Sequence, residues 1–135
     1  MTTDLTPRQL AICLGYGAAF WLIAALLLGR MAPAGWLDGW ARAGVFVLVV
    51  PGSVPVALLL RRLAALGRGQ LLGGMAVATA AAMLLDGVAL SWAPGLYGGA
   101  AHVAGSGATI LWGAGVLIFL AYALDRPARP HPTSG

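Results

Sequence analysis

LLGGMAVATAAAMLLDGVALSW, residues 71–92, is the stretch whose reading decides the fold. Coiled at about 1.5 Å per residue, it covers roughly the 30 Å of a bilayer's hydrocarbon core. It carries one formally charged side chain, Asp86. Three other apolar stretches of similar length surround it, at about residues 10–28, 43–60 and 100–124. Most of the other charged residues fall between these stretches or beyond them. Four such stretches predict an all-α protein: a four-helix transmembrane bundle forming one domain over residues 1–125. Helices satisfy their own backbone where no water is present. Residues 126–135, with Pro127, Pro130 and Pro132, read as a disordered cytoplasmic tail, because proline cannot continue the last helix.

Composition points the same way. The 135 residues are 60% hydrophobic and 9% charged, with mean hydropathy +0.88. Spread over a soluble domain, so few charges would leave the surface largely apolar, so the lipid bilayer is the expected partner. Every basic residue is arginine and glutamate is absent, which fits a GC-rich bacterial genome and a bacterial cytoplasmic (inner) membrane. The high pI reflects arginines that orient helices, and no basic groove with interleaved aromatics suggests a nucleic acid. Cys13 is the only cysteine, which excludes an internal disulfide, a CxxC redox pair and a thiolate zinc site. No metal site is expected. The first apolar run is long enough to span and is followed by no small-residue cleavage site, so it reads as a span and not as a secretory signal.

The arginines set orientation. Arg8, Arg61, Arg62, Arg68, Arg126 and Arg129 fall on one side of a chain that crosses four times, against Arg30 and Arg42 on the other. Basic residues in short loops stay inside, so both termini and the loop at 61–70 are expected in the cytoplasm. Trp36, Trp40, Trp92 and Tyr97 then map to the outer boundary, where amphipathic rings prefer the headgroups. Residues 31–42 suggest a short turn lying on the membrane surface. His131, in the tail, is given no role.

Each span carries a distinct signal. In the first, Gly15 and Gly17 suit close helix approach. The second holds Pro51-Gly52-Ser53-Val54-Pro55. Pro51 frees the carbonyl of Val47, and Pro55 frees that of Pro51. These residues are a candidate hinge or a cation-coordinating break of the kind found in discontinuous transporter helices. A static kink is the plainer reading and the preferred one. Ser53, water or a neighbouring helix could serve the freed carbonyls. In the third span, positions 75, 79, 82, 83 and 86 share a face, so Thr79 and Asp86 look the same way. Asp86 lies six residues before Trp92, about 9 Å inside the boundary. A carboxylate there costs a few kcal/mol or more on exposure to lipid, so it should face the interior, pair with a donor or hold a proton. In the fourth span His102, Ser106, Thr109 and Gly113 form a stripe of polar and small residues. The short loop at 93–99 makes the last two spans antiparallel neighbours. A polar cluster of Asp86 with Ser106 and His102 or Tyr97 follows, with Thr79 on the same face. The stripe on the fourth span could equally meet the second span or another protomer.

Met83-Leu-Leu-Asp86-Gly, Trp92-Ala-Pro94-Gly-Leu-Tyr97 and Leu111-Trp112-Gly, together with Tyr16-Gly-Ala-Ala-Phe-Trp21-Leu and Arg30, resemble a small bacterial four-span membrane family. That family is catalogued as a domain of unknown function. The resemblance runs over roughly residues 15–124 and implies the four-helix fold without implying an activity. This chain has Ala81-Ala82 where the family often has Pro-Gly before the Met-Leu-Leu-Asp run.

Several chemistries can be weighed against these residues. Asp86, His102 and Ser106 are the residue types of a hydrolase triad, but no strained elbow or set of oxyanion donors accompanies them. Haem ligation would need Met75 or Met83 to align with the one histidine in a span. Neither reading is preferred, so no enzyme activity and no cofactor are expected. A proton-linked small-molecule transporter remains the alternative, because small multidrug transporters are also short four-span proteins with one membrane carboxylate. The leading expectation is a non-enzymatic structural or interaction bundle with an interior polar site at Asp86. Its partner would be lipid, another membrane protein or a second copy in a homodimer.

Overall fold

The computed structural model describes residues 4–126. Four helices account for most of them: α1 (Pro7–Met31), α2 (Gly39–Leu63), α3 (Leu71–Trp92) and α4 (Val103–Leu124). Two short 3-10 turns, Pro94–Tyr97 and Ala100–His102, link α3 to α4. All four helical segments are long and apolar enough to cross a membrane. The fold is therefore an all-helical, multi-pass membrane bundle. The expected disordered tail, apart from Arg126, lies outside the described residues.

The first two helices overrun the expected spans because their ends obey local chemistry and not hydropathy. Thr6 caps α1 with a reciprocal Thr6–Gln9 capping box, and Pro7 takes the first helical position, where its missing N–H costs nothing. α2 begins at Gly39, so Trp40 sits in its first turn. The connection over residues 32–38 is a series of turns, inside the 31–42 stretch where a short turn was expected, and the rest of that stretch belongs to α1 and α2. α2 also runs unbroken through Pro51 and Pro55. Both prolines are exposed on the outer side of the bundle, so the second span contains no unwound break. Ser53 donates to the carbonyl of Val49 at 2.6 Å and leaves those of Val47 and Pro51 alone.

The helices are arranged in the order α1–α3–α4–α2, and α1 and α2 scarcely meet. Gly17 explains the tightest seam. A methyl group there would overlap the Ala78 carbonyl of α3, so only glycine lets the two backbones approach this closely. Gly15, its expected companion, faces open space. The fourth span meets the second: Trp112 stacks on Phe46 with ring centres 5.0 Å apart, and its indole N–H donates to the Phe46 carbonyl at 3.0 Å.

Residues 4 and 125 lie at one end of the bundle, the proximal end, where Asp125 bonds the start of α3. Its carboxylate accepts from the N–H groups of Gly69 (3.2 Å) and Leu72 (2.8 Å). This serves two orphan donors and sets a negative charge at a helix N-terminus. Gln70 accepts from Gly67 N–H at 2.8 Å and donates to the Asp4 carbonyl at 2.9 Å, while Gln9 donates to the Ala65 carbonyl at 3.2 Å. A core of Cys13, Leu60, Leu71 and Met75 fills the space beneath these ties.

Candidate functional site

At the opposite, distal end the chain leaves α3 at Trp92 and turns on Pro94. Gly98 and Gly99 follow with φ of 90° and 106°, values open mainly to glycine. Leu96 lies so close to α1 that a methyl at Gly29 would strike its carbonyl. This turn drives Tyr97 inward. Tyr97 is 0% exposed, whereas Trp40 and Trp92 are 94% and 80% exposed. Tyr97 is thus enclosed within the bundle, and it is not the exposed ring expected of a headgroup-facing aromatic.

The buried phenol is central to a three-residue relay. Tyr97 donates to Asp86 Oδ1, and Trp21 Nε1 of α1 donates to the Tyr97 oxygen at 3.1 Å. The carboxyl of α3 is thereby tied through a loop to the middle of α1. Successive hydrogen bonds of this kind polarise one another where water is scarce. Burial pushes the Tyr97 pKa well above its ordinary value of about 10, and the neighbouring Asp86 carboxyl pushes it further in the same direction. Tyr97 therefore stays a neutral donor at any physiological pH.

Asp86 also lines a cavity of about 680 Å³ between the helices. The wall is almost wholly apolar, built from Phe20, Trp21 and Leu28 of α1, Val45 and Leu48 of α2, Met75 and Ala78 of α3, and Ile110 and Leu117 of α4. Its few polar side chains include Asp86, Thr79, Ser53 and Thr109. Ser53 and Thr109 spend their hydroxyls on carbonyls of their own helices. Thr79 does not: its Oγ1 is buried with no hydrogen-bond partner. The mouth is the gap between α1 and α2, flanked by exposed Leu27, Leu48 and Gly52, so it faces sideways from the bundle. Toward the proximal end, Tyr16 bridges that gap by donating to the Val56 carbonyl at 2.8 Å.

Of the residues singled out in the sequence, the structure joins Asp86 to Tyr97 and sets Thr79 on the same cavity wall. It does not join Asp86 to Ser106 or His102. Ser106 Oγ is buried without a partner, and His102, half-buried in the short turn before α4, makes no side-chain hydrogen bond among the described residues. The stripe on α4 splits at this point, with Thr109 and Gly113 on the cavity and the two residues before them elsewhere. The serine–imidazole contact of a hydrolase is thus not made. Met75 is buried on the cavity wall while Met83 is partly exposed. Among the described residues no three histidine, cysteine or carboxylate side chains converge as metal ligands. Of the hinge candidates, Gly52 and Ser53 line the cavity, and Pro51 and Pro55 do not.

Trp21 escaped the sequence reading. Its signal was its depth, since an indole N–H far from the interface needs an acceptor and a tyrosine or carboxylate can supply one. The site defines a class: a helical membrane bundle with an apolar internal cavity and a tethered carboxyl on its wall. No family model, curated protein or solved structure matches the chain.

Proposed function

We propose that this protein is a non-enzymatic membrane bundle that holds a lipid-soluble molecule in the cavity beside Asp86. The carrying observation is the cavity wall, which is almost wholly apolar, carries the Asp86 carboxyl and opens between α1 and α2. At about 680 Å³ the cavity is of the size that takes small organic ligands. The excess of arginines at the proximal end supports placing both termini in the cytoplasm of a bacterial inner membrane. The similarity in the Met-Leu-Leu-Asp and Trp-x-Pro segments supports membership of the four-span family of unknown function.

Quenching of tryptophan fluorescence in lipid nanodiscs tests the reading, because Trp21 and Trp36 both line the cavity. Terminally brominated dodecanol is expected to quench the wild-type protein saturably. Gly52→Phe should abolish the saturable part, since position 52 lines the cavity and a Cβ there meets nothing within 4 Å. Equal, linear quenching in both proteins would contradict ligand binding.

A second reading, proton-linked transport of a small molecule, is favoured by one observation, the exposure of the Asp86 side chain to the cavity. Loss of substrate movement in Asp86→Asn, with protein level and melting intact, would support it.

A further inference from the structure

We infer that the cavity's ligand is a lipophilic amine, bound as its ammonium ion with the nitrogen at Asp86 and the hydrocarbon body along α3. This rests on the cavity being a ligand site, and it names the chemistry that site selects.

Two observations carry it. First, Asp86 gives one oxygen, Oδ1, to Tyr97, while Oδ2 accepts no hydrogen bond among the described residues and is not sealed from the cavity that Asp86 lines. Second, Tyr97 and Trp21 are neutral donors, so the carboxyl is positioned by its neighbours without being neutralised by a cation. An ammonium supplies the donors and the positive charge that this carboxyl lacks. A carboxylate or phosphate would meet repulsion at Asp86, and an alcohol would leave the charge without a counter-ion. Trp21 and Phe20 line the same space and offer ring faces that attract a cation. From Asp86 to Met75 the cavity follows α3 for about 16 Å by helical rise, about the reach of a dodecyl chain.

The test uses the full chain in nanodiscs and three probes that share one tail: terminally brominated dodecylamine, dodecanol and dodecanoate. Saturable tryptophan quenching by the amine is expected at about tenfold lower concentration than by the other two, the factor that one charge-assisted hydrogen bond supplies. Asp86→Asn should bring the amine to the level of the alcohol. Gly52→Phe should remove saturable quenching by all three. It also covers the case in which Asp86→Asn fails to fold, because it leaves the relay intact. Equal potency of the three probes in the wild type overturns the amine assignment while leaving the cavity a ligand site. So does an amine preference that survives Asp86→Asn in folded protein. Quenching by the amine that persists unchanged in Gly52→Phe overturns both.

Discussion

The two ends of this bundle use polar side chains in different ways. At the proximal end Gln9, Gln70 and Asp125 are joined mainly to backbone groups, with one side-chain bond from Gln9 to Gln70 Oε1 at 3.1 Å, and a packed core lies beneath them. At the distal end Asp86, Tyr97 and Trp21 are joined to each other, and the helices around them stand apart. A side chain that serves a fixed backbone group does structural work alone. A side chain held by other side chains, with one oxygen to spare beside a cavity, can also receive a ligand. The positions of glycine reinforce the contrast. Gly17 and Gly29 permit backbone contact that closes the α1–α3 seam and locks the distal turn, while Gly44 and Gly52 line the gap and are touched by nothing.

The contrast can be broken most violently at Gly29. Gly29→Leu is expected to lower stability by about 3 kcal/mol or more, because the new side chain meets the Leu96 backbone. Tyr97 would then lose its place, and the loss should appear as a large drop in melting temperature in detergent. At the proximal end Asp125→Ala should cost about 1–2 kcal/mol by stripping the cap from α3. Asp125→Asn should recover part of that in the same melting assay.

Alkaline titration sharpens the comparison further. The pKa of Tyr97 is raised in the folded protein, so its contribution to stability is complete below the ordinary tyrosine value near 10. It declines as pH rises above that value, because only the unfolded chain releases the proton there. Melting temperature should therefore fall more steeply above pH ~10 in the wild type than in Tyr97→Phe. Equal slopes would mean that the phenol is not enclosed. Gly15→Ala should show the smallest effect, a gain of at most about 1 kcal/mol, since it faces open space two residues from the crowded Gly17.

Much of this architecture was legible in the chain. The four spans follow from hydropathy alone, and the pairing of α3 with α4 follows from their short connection. Asp86 was conspicuous because one carboxyl in a long apolar run must be accounted for. Its true partner was harder to see. Helical spacing brings Ser106 and His102 to attention, whereas Tyr97 reaches Asp86 only through the Gly98–Gly99 turn, and an aromatic beside a span end looks like an interfacial ring. In the two-proline segment the continuous helix removes the less favoured alternative, an opened break. Pro51 and Pro55 lie four apart, on one outward face, so α2 can continue through both without opening toward the interior. The proximal ties were invisible because they join residues more than fifty positions apart to backbone groups, which no residue pattern advertises.

The tether between Asp86 and Tyr97 is the feature on which the distal site depends. A double-mutant cycle with Asp86→Leu and Tyr97→Phe, read by reversible unfolding in mixed micelles, measures it directly. Coupling of about 1.5–3 kcal/mol is expected for a buried hydrogen bond to a carboxyl group. Stability changes that simply add, to within about 0.5 kcal/mol, would show that the two groups do not hold each other and would contradict the site described above.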